Sequence, residues 1–327
     1  VRNIDCHVRA TTPDRSSVVP VTEVPVDGLR EALRARAAAL GFDEGAADIV
    51  TDHFLDAELR GAPTHGAERM RWLSTFSDLQ PTARPQLVSQ ADGLSRWDGA
   101  GAIGYVALAE ALDREADDPP PGARLVVVGH CFPTGRLGWF AERVARRGLM
   151  CLLVATSTPR IVHPDGGPPL LGTNPFCLAL PGRDRPTVVD VSMGRVTYGT
   201  VLHAAARGAQ LPEGAARRPD GSAESDPGQV IADLAGIVPF GADQAYKGFA
   251  LATVVELFCG ALAGTDGYSA VALIAPPQSD PVAWLRRIAE GRRLPGDRSA
   301  RALEDALDRG TVEIPDDLWV WLRDAPA

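Results

Sequence analysis

His65 and Arg69 stand four residues apart in the segment Gly61-Ala62-Pro63-Thr64-His65-Gly66-Ala67-Glu68-Arg69, a spacing at which both can face one point once the chain turns helical. An imidazole with a pKa near neutrality can pass a proton to an oxygen or nitrogen, and a guanidinium one turn away can hold a carboxylate. The plainer alternative for His65 is a hydrogen-bonded turn histidine. A second candidate is Lys247, the one lysine among 33 basic residues. An ammonium is a compact charge with a movable pKa, suited to gripping a phosphate or carboxylate or to forming a Schiff base. Chance survival of one lysine in an arginine-rich chain is the competing explanation. Asp190, and the Ser-, Thr- and Asn-rich loops near Ser157 and Gly172-Thr173-Asn174, complete the set.

The remaining histidines divide by context. His53 and His203 fall inside helical patterns and are assigned to structure, and His7 lies in a stretch without sustained period. His130 and His163 sit in loops rich in glycine and proline and stay open as site residues. No HExxH, H-x-x-x-H or cysteine cluster links them, so the pattern argues against a metal. Walker A and G-x-S-x-G motifs are missing. Gly99-Ala100-Gly101-Ala102-Ile103-Gly104 is a literal G-x-G-x-x-G. A dinucleotide fingerprint needs a buried apolar strand leading into its first glycine. Ser95-Arg96-Trp97-Asp98 stands there instead, so these glycines are read as packing a helix start.

The elements that must position these residues follow from periodicity. Gly28 to Leu40 and Glu44 to Leu59 predict two amphipathic helices, and a third carries Arg69, Met70, Leu73 and Phe76. Pro85 to Asp98 predicts a hairpin turning at Asp92-Gly93. Leu125 to Val128, Arg136 to Arg147 and Leu149 to Ala155 predict β-α-β with a parallel strand pair. Strands are expected at Phe176 to Leu180, Thr187 to Val191 and Ser269 to Ile274, a helix at Thr197 to Arg207, and a polar loop from Leu211 to Gly228. Lys247 opens a helix whose Leu251, Val254, Val255, Phe258 and Leu262 suggest burial nearly all round. That places the ammonium in a first turn, the end of a helix that attracts anions. Three helices from about Pro281, Arg298 and Pro315 close the chain.

Six blocks in order carry a resemblance: GAPTHGAERM from Gly61, TGRLG from Thr134, PDGGPPLLGTNP from Pro164, VDVSMGRVTYG from Val189, YKGFAL from Tyr246 and LPGDR from Leu294. From about Pro25 to the end the chain resembles the malate/L-lactate dehydrogenase family of non-Rossmann type, which includes ureidoglycolate dehydrogenase, 2,3-diketogulonate reductase and Δ1-piperideine-2-carboxylate reductase. The VDVSMGRVTYG block is most similar to the diketogulonate reductase branch. The resemblance implies an α/β fold with a non-Rossmann mixed sheet, in a homodimer that uses NADH or NADPH. Residues 1–24, which carry Pro, Ser and Thr without sustained period, are expected as a loose arm additional to the family, followed by a helical domain from 25–80 and 281–327 and an NAD(P)-binding domain over 81–280. His65 then falls on the acid/base position and Arg69 on the substrate contact. Cofactor contacts fall on Ser157, on Asp190, Val191, Ser192 and Met193, on Tyr246 and Lys247, and on Gly296, Asp297 and Arg298, with Thr173 and Asn174 in the loop beside them. Asp190 is also carried among the catalytic residues. Many family members have a histidine where this chain has Pro133, in some of them assigned to proton transfer. Its absence points to His65 as the acid, with His130 three residues away as a conceivable substitute that meets the substrate. The segment from Gly264 to Arg293 is shorter than usual in the family, which suggests an altered pocket wall or dimer surface and an unusual substrate.

Length and charge bound these expectations. A chain of 327 residues has room for a sizeable core, and a net charge of -9 argues against nucleic acid or anionic membrane as a partner. Five scattered cysteines without a C-x-x-C pair suggest a reduced, cytoplasmic protein. No leader or membrane-spanning segment is expected. The expected function is reduction of a 2-oxo acid or a cyclic imine 2-carboxylate, within a specialised biosynthetic pathway. The alternatives are a family member that binds a ligand without catalysis and a Schiff-base enzyme using Lys247.

Overall fold

The computed structural model describes residues 20–91 and 93–324. The expected loose arm therefore lies outside the described residues as far as position 19, with His7 and Cys6. Its end does not stay loose: Val21–Pro25 is strand β1. The chain continues through helices α1 (Val26–Ala39), α2 (Glu44–Leu59) and α3 (Glu68–Leu73), strands β2 (Gln86–Ala91) and β3 (Leu94–Asp98), α4 (Gly104–Asp117), β4 (Arg124–Gly129), α5 (Leu137–Arg146) and β5 (Met150–Ala155). Short strands β6 (Ile161–Val162) and β7 (Pro169–Leu171) precede β8 (Phe176–Leu180), β9 (Thr187–Val191) and α6 (Tyr198–Ala206). Next come β10 (Ala216–Arg217), β11 (Ala223–Glu224), α7 (Pro227–Ile231), β12 (Gly236–Ile237) and α8 (Ala245–Ala263). The chain closes with β13 (Ala270–Ala275), α9 (Pro281–Ala289), α10 (Asp297–Arg309), β14 (Thr311–Pro315) and α11 (Asp316–Arg323).

Two compact units emerge. The larger takes residues 20–154, 177–190 and 269–327, and the smaller takes 155–176 and 191–268 among the described residues. The first is built on a seven-stranded mixed sheet in the order β2-β3-β4-β13-β5-β8-β9, with a separate antiparallel pair β1-β14. The hairpin β2-β3 forms as expected. The strand pair expected of β4 and β5 does not: β13 lies between them and runs antiparallel to β4. The parallel neighbour of β4 is β3, so the crossover helix of that pair is α4. The smaller unit holds the sheet β11-β10-β12-β6-β7 over a core of Val201, Leu211, Val230 and Ile237. The stretch expected as a polar loop from Leu211 to Gly228 thus contains β10 and β11, paired antiparallel.

The crossover β3-α4-β4 bears on the glycine triplet, because a strand does lead into Gly99, with Ser95 and Trp97 buried. That strand is half-buried and carries Ser95, Arg96 and Asp98, so it is not the buried apolar strand of a dinucleotide fingerprint, and contacts at the glycines point to packing. A Cβ at Gly99 would lie 2.3 Å from the His130 carbonyl oxygen, and one at Gly104 would lie 2.5 Å from that of Pro133. The Gly99 and Gly104 N–H groups donate to Gly129 and Phe132. The Ala100 N–H donates to Asp98 and the Ala102 N–H to the Gly99 carbonyl, so four N–H groups of this turn are taken up by the chain itself.

Helix α8 also departs from expectation. Its buried residues are Ala245, Gly248, Ala252, Val255 and Cys259, one stripe at helical spacing. Leu251, Val254, Leu257 and Phe258 are 44–67 % exposed. By length and composition alone this helix could cross a membrane.

Candidate active site

Helix α2 positions the turn that carries His65. Asp43 caps it by accepting the Ala46 N–H at 3.1 Å, and Ala46, Ala47, Val50, Phe54 and Ala57 give it a buried face. Gly61, at φ +65°, ends it. The Gly61 N–H donates to Glu58 and the Ala62 N–H to Ala57, a closing pair that satisfies orphan carbonyls and turns the chain sharply. Pro63–His65 is a single 3-10 turn, and α3 starts three residues after it.

His65 is half-buried, and its Nδ1 lies 3.1 Å from the Thr64 hydroxyl. Its pKa is lowered to about 3, by burial first, then by the Arg69 and Arg136 guanidiniums. Arg69 is buried, with Nε donating to the Thr64 carbonyl at 3.0 Å and its guanidinium carbon 5.0 Å from the Trp72 ring centre. The structure thus brings together the two residues that the sequence paired. His53 stands behind them, fully buried, with Nε2 accepting the Arg136 backbone N–H at 3.3 Å and its ring among Phe54, Tyr105, Trp139 and Phe140. Burial, then Arg136, His65 and Arg69, hold its pKa well below the usual value, so it stays neutral and structural.

Arg136, in the TGRLG block, was not singled out by its sequence. Its guanidinium pairs with Asp56 of α2. Asp56 also binds Arg60 at 2.8 Å, and Arg60 reaches Glu142 of α5 at 2.7 Å. Asp190 Oδ2 accepts the Gly138 N–H at 2.7 Å, in the first turn of α5, the favourable end for an anion. Burial raises the Asp190 pKa, opposed by that N–H and by Arg136. That bond ties Asp190 to the start of α5. The signal that could have found Arg136 and Asp56 is an ion pair across 80 residues, which no local pattern reveals.

His130 is bound elsewhere: its Nδ1 lies 3.1 Å from Asp98 Oδ1, and its side chain is exposed. Asp98 is held below the usual range by the Ala100 N–H first and by His130. Gly296 caps α10 in the left-handed region at φ +89°. A Cβ there would lie 2.2 Å from the Val188 carbonyl oxygen. Asp297 accepts from Arg286 at 2.8 Å and from the Leu294 N–H at 2.8 Å, and Arg298 is exposed.

In the smaller unit, Ser157 Oγ accepts the Thr173 N–H at 3.3 Å, and the Thr173 carbonyl accepts the Met193 N–H at 2.9 Å. Asn174 is fully buried, its Nδ2 donating to the Ala252 carbonyl at 2.9 Å and to Glu256 at 2.8 Å. Asn174 therefore ties its loop to α8 through Nδ2. Lys247 lies in the first turn of α8 as expected, exposed, with its ammonium on the neutral amide of Gln244. Tyr246 is 59 % exposed. His163 packs edge-on against Phe249 at 4.8 Å. An exposed ammonium with a neutral partner, beside a phenol, fits the phosphates and rings of a dinucleotide.

Known proteins resemble the chain in sequence and in shape. Residues 24–288 match the malate/L-lactate dehydrogenase family. The Δ1-pyrroline-2-carboxylate/Δ1-piperideine-2-carboxylate reductase of Pseudomonas putida is 32 % identical over 259 residues, 78 % of this chain and 74 % of that protein. The NADP(+)-dependent (2R)-3-sulfolactate dehydrogenase of Chromohalobacter salexigens is 32 % identical over 266 residues, 77 % of each. A dehydrogenase from Sinorhizobium meliloti superposes with a TM-score of 0.83 at 27 % identity, over 94 % of this chain and 99 % of that one. These relatives are oxidoreductases of small carboxylates, with NAD(P)-dependent members. The chain belongs to the malate/L-lactate dehydrogenase family of NAD(P)-dependent oxidoreductases.

Proposed function

We propose that this protein reduces a 2-oxo acid or a cyclic imine 2-carboxylate, with His65 as the proton donor and Arg69 as the partner of the substrate carboxylate. The observation that carries the reading is the pairing of a half-buried histidine in a 3-10 turn with a buried arginine in the helix that follows it. In the free protein His65 is neutral near pH 7. A carboxylate set against Arg69 offsets part of the positive charge acting on the imidazole and raises its proton affinity. Proton uptake thereby accompanies arrival of the substrate, and the Thr64 hydroxyl at Nδ1 orients the ring so that Nε2 serves the developing oxygen or nitrogen. The nicotinamide, when bound, supplies the hydride. Cofactor contacts are assigned to Ser157, Thr173, Val191, Ser192, Met193, Tyr246, Lys247, Gly296, Asp297 and Arg298. Asn174 and Asp190 are assigned positioning roles.

By role, 25–80 and 281–327 make the helical part and 81–280 the NAD(P)-binding part. Lys247 is exposed beside a neutral amide, without the desolvation or cationic neighbour that activates an amine nucleophile, which disfavours the Schiff-base alternative. The apolar face of α8 is assigned to a second copy of the chain, as a homodimer. The buried free cysteines Cys131, Cys151, Cys177 and Cys259 suit a reducing cytoplasm.

Fluorescence titration with NADH and with NADPH, followed by a panel of 2-oxo acids and cyclic imine 2-carboxylates, tests the reading. Saturable binding of one coenzyme and its oxidation by a member of the panel are expected. Binding of neither would end it.

A further inference from the structure

We propose that Glu58 is the positioning residue for His65, acting through Gly66. This rests on the reading of His65 as the proton donor. Glu58 lies in the last turn of α2, and its Oε1 accepts the Ala67 N–H at 2.7 Å. The carboxylate thus reaches across the turn that carries His65 and grips the backbone two residues beyond it. The space it occupies is the space Gly66 leaves. A Cβ on Gly66 would lie 2.1 Å from Glu58 Oε1, 2.4 Å from Cδ and 2.8 Å from Cγ.

Gly66 has a negative φ, -95°, with ψ -141°, so the left-handed region is not what calls for glycine here. Its lack of a side chain admits the Glu58 carboxylate. The two residues form a lock: the glycine makes the room, and the carboxylate fills it and holds the following N–H. Immediately after the lock the Arg69 N–H donates to the Gly66 carbonyl at 2.9 Å, so the same grip sets where α3 begins and where the Arg69 side chain starts. His65 on one side and Arg69 on the other take their spacing from a turn that Glu58 holds. The same helix also supplies His53 and Asp56 to the Arg136 segment. Glu58 is its contact to the acid/base turn.

A double-mutant cycle tests the lock. Glu58→Ala removes the grip, and Gly66→Ala expels the carboxylate from its place. Each is expected to lower kcat on the order of tenfold to a hundredfold, the range that follows small misplacement of a catalytic group. Coenzyme affinity should change little. The double variant should be no slower than the slower single, because the added methyl meets no carboxylate once residue 58 is alanine. Glu58→Gln, which still presents an acceptor oxygen, should recover most of the loss. A second readout is the His65 ring resonance in histidine-labelled protein. Its titration midpoint should move together in Glu58→Ala and Gly66→Ala and stay near wild type in Glu58→Gln. Costs that multiply across the cycle, or a Glu58→Ala variant with wild-type kcat and an unmoved resonance, would overturn the proposal. If the wild type oxidises no coenzyme with any substrate while the resonances move as described, the positioning role stands and the reductase reading falls.

Discussion

In the proposed reaction Arg69 and His65 make different demands on a substrate, and kinetics can separate them. Replacing Arg69 by Ala removes a charge from a carboxylate partner, so KM for the acid should rise on the order of tenfold or more while coenzyme affinity holds. Lysine at that position should recover little, since it lacks the planar fork. The pH dependence has a definite sign. The His65 pKa in the folded chain, about 3, lies below the ordinary value near 6.5, so between those limits the unfolded chain binds more protons. The stabilisation is present above the ordinary value and is lost as pH falls toward about 3. Thermal unfolding followed from pH 7 to pH 4 should show a falling Tm, with a shallower fall in His65→Asn. A slope unchanged by that substitution would remove His65 as a source. At this scale the sequence was informative where spacing is local. His65 and Arg69 stand four residues apart, and Lys247 marks itself by being the one lysine. Arg136, Asp56 and Glu58 gain their meaning from contacts that cross between elements, and their residue types alone announce nothing.

Helix α2 carries most of the weight of the larger unit's site. Its cap, its buried stripe and its terminal glycine agree with one another, which is why the helix was legible before the fold was known. Cutting Phe54 to Ala should cost about 3–5 kcal/mol, since the ring is fully buried among aromatic neighbours. Asp56→Asn leaves Arg136 and Arg60 each short of a carboxylate in a partly enclosed setting. A loss on the order of 3 kcal/mol in denaturant unfolding is expected, and a loss under 0.5 kcal/mol would show the pairs to be solvated. Elements whose partners are distant in sequence were harder to place. The strand that separates β4 from β5 arrives from residues 270–275, and no local period specifies that insertion. The glycines from Gly99 to Gly104 agree with the packing reading, since a Cβ at Gly99 or Gly104 would meet the carbonyl of His130 or Pro133. The apolar character of α8 was plain, but composition does not say which apolar residues face inward.

At the scale of the molecule, the exposed face of α8 is the feature that a single chain leaves unexplained. Val254 and Leu257 are 61 % and 67 % exposed on a helix with few charges, and contiguous apolar patches on soluble chains mark interaction surfaces. Placing Glu at both positions should convert a self-associating protein to monomers in sedimentation. A wild type that is already monomeric would contradict the dimer. Family membership follows from a match that spans most of the chain. Substrate choice and the use of His65 are the parts that need chemistry. The most direct test is steady-state oxidation of the preferred coenzyme by wild type and by His65→Ala, on the best 2-oxo acid or cyclic imine substrate. The account predicts a fall in kcat on the order of a hundredfold or more in the variant, with coenzyme binding retained. A His65→Ala protein that turns over at the wild-type rate would contradict it.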